Sequence, residues 1–132
     1  SVRSYDMVNI LGQLLLICLS AISASALADW MQFDTDANNN KYFLDNDIIK
    51  GGANLIFVRQ RIQYANSTEY GDNSSSTYYK INCHENTIQL LSTTYYSDRN
   101  WASKNWAGKR GQENIIKSNS PEEKLRNAVC EE

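Results

Sequence analysis

The sequence is poor in the residues that most often carry catalysis or bind metals. Histidine occurs once, as His84, which directly follows Cys83. A Ser-His-Asp triad or a Cys-His nucleophile would have to use this one imidazole, and a zinc site would need the neighbouring thiolate. The aspartates between Asp29 and Asp47 offer paired carboxylates, but nothing in the sequence sets the separation that glycoside hydrolysis requires. The sequence therefore predicts no enzyme, no cofactor and no metal site.

The chain also lacks an excess of positive charge. Its 132 residues include 13 Lys and Arg against 15 Asp and Glu, for a formal charge of -2. Without a cationic field there is little counterion release to drive binding to phosphates, so nucleic acid is not an expected partner. Proline occurs once and glycine six times, which excludes a low-complexity chain, and the length fits one domain.

A short apolar run near the start of the chain indicates export. It extends from Leu14 to Ile22, well short of the about 20 residues that a permanent membrane span needs. Small residues at Ala26 and Ala28 close the run, which is the pattern that signal peptidase reads. We therefore predict a signal peptide over residues 1–28 and a mature domain over residues 29–132, without a permanent span. An uncleaved signal-anchor helix is the alternative.

One of the three cysteines lies in the predicted signal peptide, and the other two lie in the mature domain. Cys18 lies in the predicted signal peptide, and Ile17 before it is too large for a lipid-modification site, so no lipid anchor is predicted. Export leaves Cys83 and Cys130 in an oxidising compartment, where an even pair indicates a disulfide. The bridge would close a long loop and stabilise the fold by about 4 kcal/mol. Two free thiols are the alternative.

Alternation of apolar and polar residues indicates antiparallel strands. It is clearest over Leu55–Ala65, where Ile56, Val58 and Ile62 share one face and the arginines take the other. The polar segment Asn66–Ser76 is predicted to be an exposed loop, and Ser97–Gly111 follows no clear pattern. Four or five further strands are expected at Trp30–Phe33, Lys41–Leu44, Thr77–Cys83, Thr87–Tyr96 and Asn114–Lys117.

The end of the chain has the pattern of a helix. Ser120 stands at the N-cap, Pro121 at the first helical position and Glu123 three residues after the cap. Leu125 and Val129 then lie on one helical face with Ala128. The predicted fold is of the α+β class: a small antiparallel sheet of about six strands, with a C-terminal helix tethered to it by the disulfide.

The segment Asp34–Asp45 resembles a calcium-binding loop in its spacing of oxygen side chains, with a carboxylate at the twelfth position. Its sixth position is Asn39, where the loop requires glycine, and its eighth is Lys41, where an apolar residue is usual. The predicted signal junction leaves no room for a preceding helix. We interpret the segment as a polar turn between two strands.

Several motifs together resemble the surface-adhesin protein E family of Gram-negative bacteria. They are Trp30 at the start of the mature chain, Tyr42–Asp45 leading to Ile48, Leu55–Arg59, Tyr79–Cys83, Ile115–Ser120 and Val129–Cys130. The resemblance implies a sheet with a disulfide-tied helix, in a protein exported to the periplasm or cell surface. It also implies adhesion to host extracellular-matrix or serum proteins. The lack of a lipid anchor and the presence of Asn119, where the family tends to have proline, depart from the family pattern.

Two groups of residues are candidates for binding a partner. Arg59 and Arg61 alternate with buried apolar residues and so point away from the main core, toward solvent or the helix. The second group combines tryptophan with positive charge, as protein interfaces often do, and consists of Trp101, Lys104, Trp106, Lys109 and Arg110. The alternatives are that the tryptophans fill the core under the helix and that Lys104, Lys109 and Arg110 are merely a solvated surface. For the whole protein, the alternative to an adhesin is a periplasmic structural or assembly protein without an external ligand.

Overall fold

The structure is a computed structural model, and it describes residues 29–130. The predicted signal peptide, residues 1–28, lies outside the described residues. No helix in the described range is long and apolar enough to cross a membrane. Eight strands and one helix follow along the chain: β1 (Trp30–Thr35), β2 (Lys41–Asp45), β3 (Ile49–Lys50), β4 (Leu55–Gln63), β5 (Ser74–Asn82), β6 (Thr87–Tyr96), β7 (Lys104–Gly108), β8 (Glu113–Ile115) and α1 (Pro121–Val129).

The strands form one antiparallel sheet in the order β1-β2-β4-β5-β6-β7. The central pair β4 and β5 is joined along its whole length, with Leu55 opposite Asn82 and Gln63 opposite Ser74. The short strands β3 and β8 pair with β4 and β6 respectively. The α+β class with a single C-terminal helix is confirmed, and the described residues contain eight strands rather than about six.

The core lies between α1 and one face of the sheet. Because side chains alternate along a strand, the even-numbered residues of β2 and β4 all point to this side. Leu125 and Val129 of α1 are 0% and 6% exposed, and burying each contributes roughly 1.5–3 kcal/mol. They pack with buried residues of the sheet and of the segment after β8, namely Leu44, Ile56, Val58, Ile81, Ile88 and Ile116.

The disulfide between Cys83 and Cys130 is confirmed. It joins the end of β5 to the C-cap of α1, with the two Cα atoms 5.8 Å apart. The predicted N-cap is also confirmed, since the Ser120 hydroxyl accepts a hydrogen bond from the Glu123 backbone N–H at 3.2 Å. The Glu123 carboxylate reaches back to the Asn119 N–H at 3.1 Å. The helix is therefore fixed at both ends.

The prediction of an exposed loop over Asn66–Ser76 is wrong for its last residues. Strand β5 begins at Ser74, and Asp72, Ser74 and Ser75 are all almost completely buried. Polar side chains can be buried when each finds a hydrogen-bond partner. The Ser74 hydroxyl donates to the Asp98 carbonyl at 2.6 Å, and the Ser75 hydroxyl accepts from Tyr64 at 2.9 Å.

The unassigned stretch Ser97–Gly111 contains an edge strand. β7 pairs with β6 through four residue pairs, although most of its side chains are exposed. An exposed edge strand has no buried face, so it lacks the alternation that reveals the central strands. The predicted strand over Leu55–Ala65 ends two residues earlier, at Gln63.

Candidate binding site on the open face of the sheet

The side of the sheet opposite α1 is not covered by any helix among the described residues, and we call it the open face. Register and alternation place Phe43 opposite Arg61 on this face, and Arg59 opposite Tyr78. Both arginines predicted to bind a partner therefore point away from the helix, toward solvent.

Arg61 is at the centre of an aromatic cluster that also contains Trp30, Phe43 and Trp101, here called the Arg61 cluster. Its Cζ atom lies over two indole rings, 4.1 Å from the centroid of Trp30 and 4.8 Å from that of Trp101. The Phe43 ring meets Trp101 edge-on, with the centroids 5.7 Å apart. Cation–π contacts of this kind are each worth about 0.5–1 kcal/mol at exposed sites. The cluster therefore holds the guanidinium in one position.

Trp101 reaches the cluster because the loop between β6 and β7 folds back over the open face. The Trp101 indole N–H donates to the Ser75 carbonyl at 2.9 Å, and the Gln63 side chain donates to the Arg99 carbonyl at 3.1 Å. The backbone of Trp101 has a φ of 56°, a left-handed conformation that non-glycine residues rarely adopt. Strain of this kind is typical of functional sites.

The carboxylate of Asp98 organises this loop. It accepts hydrogen bonds from the backbone N–H groups of Asn100, Ala102 and Ser103, at 2.8 to 3.2 Å. These bonds, that from Ser103 above all, lower the pKa of Asp98 below its usual 3.8. The loop that carries Trp101 therefore depends on an ionised carboxylate.

Two polar atoms inside the Arg61 cluster have no hydrogen-bond partner among the described residues. They are Nε of Arg61 and Nε1 of Trp30, both buried. A buried donor without a partner costs about 1–3 kcal/mol, and such groups are rare in folded proteins. Burial lowers the pKa of the Arg61 guanidinium, and the nearby Asp45 carboxylate opposes this shift.

Arg59 lies beside this cluster, two residues earlier on β4. Its Cζ atom is 4.9 Å from the centroid of the Tyr78 ring, and the centroid of the Phe57 ring lies 6.2 Å from that of the same tyrosine, with the planes tilted by 31°. Arg59 is exposed, whereas Arg61 is half-buried. The open face thus carries two arginines whose Cα atoms are about 7 Å apart, each with its guanidinium over an aromatic ring.

A model of the surface-adhesin protein E family matches residues 30–131. The chain belongs to this family. Membership supports a surface adhesin in general, and with it an exported location and a non-enzymatic role.

The fold of this family member also matches a solved structure, "The structure of Haemophilus influenzae protein E". The TM-score is 0.59, the sequence identity is 12%, and the match covers 76% of this chain and 83% of that chain. At this identity the likeness shows the fold alone. No curated protein matches the sequence.

Trp106 of this adhesin-family chain lies on the opposite side of the sheet from Trp101. In a regular strand Lys104 and Trp106 would share a face, but a bulge between Tyr95 and Tyr96 pairs Tyr96 with Lys104 and Tyr95 with Trp106. The extra residue turns the two side chains to opposite faces. Lys104 therefore belongs to the open face, while Trp106 stacks on Tyr95 with ring centroids 4.1 Å apart.

Trp106 has a structural partner in the buried Asp72. Its indole N–H lies 3.1 and 3.0 Å from the two carboxylate oxygens, and Asn105 donates to one of them at 2.9 Å. Neither Trp101 nor Trp106 fills the core under the helix, so that alternative is wrong. Lys109 and Arg110 are exposed in the turn after β7. The predicted set is thus divided: Arg59, Arg61, Trp101 and Lys104 share the open face.

The segment that resembles a calcium loop forms the turn between β1 and β2. Asp36 accepts from the backbone N–H groups of Asn38 and Asn40 and from the Tyr42 hydroxyl, at 2.9 to 3.0 Å. Burial alone would raise the pKa of Asp36, but these hydrogen bonds outweigh it and lower the pKa. Within residues 29–130, no group of three or more His, Cys, Asp and Glu side chains could hold a metal ion.

Sequence reasoning missed three aromatic members of the open face, namely Trp30, Phe43 and Tyr78. The sequence places all three on strands, two of them within family motifs, but alternation within a strand does not show which residues of other strands and loops will meet on the same face. One signal was available. The residues of β2 that alternate with Tyr42 and Leu44 include Phe43, an aromatic ring on the face expected to be polar.

Proposed function

We propose that this protein is an adhesin whose open face binds host extracellular-matrix or serum proteins. The observation that carries the proposal is the Arg61 cluster, an arginine held over two indole rings on a face that no described helix covers. Arginine and tryptophan are the residues most enriched among those that dominate binding energy at protein interfaces.

Pre-organisation favours this use of the cluster. A free arginine side chain loses rotamer entropy when it is immobilised in an interface, at about 0.5–1.5 kcal/mol. The contacts with the rings of Trp30 and Trp101 supply part of that order before a partner arrives. Arg61 also forms no ion pair with the described residues, so its charge remains available to an acidic group of the partner.

Capture by a reconstituted basement-membrane extract and by whole serum, both immobilised, tests the proposal. Arg61→Gln removes the guanidinium charge, and Lys117→Gln removes an exposed charge near α1 as the matched control. An arginine at the centre of an interface contributes at least about 1.4 kcal/mol, so capture by Arg61→Gln should fall about tenfold or more. Capture by the control should equal that of the original chain. Equal capture by Arg61→Gln, at low and physiological salt alike, would contradict the proposal.

Display on the cell separates an adhesin from a periplasmic structural or assembly protein. Protease added to intact cells should remove the protein, while a periplasmic marker in the same cells stays intact. Complete protection of the protein until the outer membrane is permeabilised would favour the periplasmic role instead.

A further inference from the structure

The open face is positively charged although the chain as a whole is slightly acidic. Register places five basic residues on it, Lys41, Arg59, Arg61, Lys80 and Lys104. Its acidic residues by the same register are Asp45, next to Trp30, and Glu113, opposite Gln89. None of the five basic side chains forms an ion pair with residues 29–130. The whole chain, in contrast, has 13 basic and 15 acidic residues. The strands therefore give this face five basic residues against two acidic ones, a local excess of positive charge.

These charges are spread over a flat surface rather than gathered in a pocket. Lys41 and Lys104 stand at the two ends of one row of residues that crosses β2, β4, β5, β6 and β7, a distance of about 19 Å. The two arginines lie between these ends. Two clefts of the described residues, one beside β8 and the start of α1 and one beside Gly52 and Cys83, contain none of these five basic residues. A long, flexible polyanion fits such a field better than a compact ligand.

The geometry of the two arginines also suits a strong anion. The donors of a guanidinium lie at the edge of a planar group, so stacking on an aromatic ring leaves them available. Arg59 lies over Tyr78 and Arg61 over Trp30 and Trp101; Nε of Arg61 is buried, so its terminal NH groups are the donors that remain for an anion. A planar fork of donors binds an oxyanion such as sulfate or carboxylate through two parallel hydrogen bonds.

We propose that the open face binds a sulfated glycosaminoglycan chain, with sulfate groups at Arg59 and Arg61 and weaker contacts at the three lysines. This inference rests on the proposed function, because it assigns a ligand class to the same face. A sulfated polysaccharide carries closely spaced permanent charges along an extended chain, which matches cations distributed over a sheet face that measures about 19 Å from Lys41 to Lys104. Its sugar rings also have apolar faces that pack on exposed aromatic side chains.

Chromatography of the purified full chain on heparin–agarose tests the inference. The original chain should be retained at physiological salt, and Arg59→Gln/Arg61→Gln should flow through. Lys117→Gln, which removes an exposed charge outside the open face, should elute with the original chain. For a polyanion, each contact adds about one to the slope of log affinity against log salt, so the double variant should lower that slope by about two. Arg61→Lys keeps the charge but loses the planar fork, and should elute between the two.

Two further columns test the chemistry of the ligand. Hyaluronan, a polysaccharide that carries carboxylates without sulfate, and duplex DNA, a polyanion without sugar faces exposed, should both retain the chain much less than heparin. Equal retention on DNA would show binding to any polyanion and would overturn the inference, as would flow-through of the original chain on heparin. Coincident thermal melts of the variants confirm that any loss of retention is not unfolding.

Treatment of the basement-membrane extract with a heparan sulfate lyase separates this inference from the proposed function. Capture that depends on Arg61 and is lost after the lyase supports both. If capture depends on Arg61 but is unchanged after the lyase, the result supports the proposed function and contradicts glycosaminoglycan binding. The ligand is then an acidic protein. A third outcome is that binding to the heparin column depends on Arg61 but capture by the extract does not. This outcome supports the glycosaminoglycan as ligand and contradicts the protein-binding role of the face.

Discussion

Removal of the Cys83–Cys130 bridge should cost this domain a large part of its stability. The bridge closes a sequence separation of 47 residues. In the loop-entropy description, closing a loop of that length stabilises the folded state by about 4 kcal/mol at room temperature. The net stability of a domain of this size is about 5–15 kcal/mol, so the bridge is a large fraction of the total.

Loss of the bridge should also weaken the attachment of α1 to the sheet. α1 is nine residues long, and only Leu125 and Val129 of it are buried. Isolated helices shorter than about 12–15 residues are marginal in water. Without the bridge, the helix would depend on those two side chains and on two polar contacts, Arg126 with the Cys83 carbonyl at 3.2 Å and the exposed ion pair of Lys124 with Asp34 at 3.1 Å.

The perturbation is the double substitution Cys83→Ser/Cys130→Ser, which leaves no unpaired thiol at either position. For the residues from Asp29 to Cys130, a loss of about 4 kcal/mol corresponds to a fall of about 19 °C in the melting temperature. Thermal melts followed by circular dichroism measure it. As the control, reductant should lower the melting temperature of the original chain by a similar amount and leave that of the double variant unchanged. The reasoning would be refuted if the double variant and the original chain melted at the same temperature. A thiol count after reduction, two lower in the variant, verifies that both cysteines were replaced.

Two other predictions follow from hydrogen bonds to buried or loop-forming carboxylates. Asp98 has a lowered pKa in the folded state, so its stabilisation of the Trp101 loop is present above the usual value of 3.8 and is lost as the pH falls through the folded-state pKa. Near-ultraviolet circular dichroism should therefore change on acidification below that value; a change of equal size in Asp98→Asn would assign it elsewhere. Trp106→Phe keeps the stack on Tyr95 but removes the N–H that both oxygens of Asp72 accept, and should cost about 1–3 kcal/mol in chemical denaturation. Tyr70→Phe, at a ring that is 68% exposed, is the matched control; equal stability of the two variants would disprove a role for the indole N–H.

Features set by neighbouring residues could be predicted from the sequence. Alternation over β4 placed Ile56 and Val58 inside and Arg59 and Arg61 outside, because a side-chain period of two follows from strand geometry itself. Ser120, with its proline and glutamate, defined the start of α1 for a similarly local reason. The disulfide required only an even pair of cysteines and an oxidising compartment.

The burial of several polar residues could not be predicted from the sequence. Asp72, Ser74 and Ser75 stand in a run of polar residues and look solvated, yet all are at most 2% exposed. Their burial depends on partners such as Asp98, Trp106 and Tyr64, which lie between 11 and 34 residues away. A run of polar residues predicts exposure, because such groups are costly to bury without hydrogen bonds. The sequence does not show whether residues far along the chain will provide those hydrogen bonds.

The membership of the open face was decided by tertiary structure. The sequence by itself determined that two arginines leave the core on one side of β4, and that tryptophans and lysines follow β6. Whether these groups meet depends on the fold: the loop bound by Asp98 lays Trp101 over Arg61, while a one-residue bulge turns Trp106 to the other face. A bulge reverses every side chain beyond it, since the period is two, and the sequence of β7 does not reveal where that bulge lies.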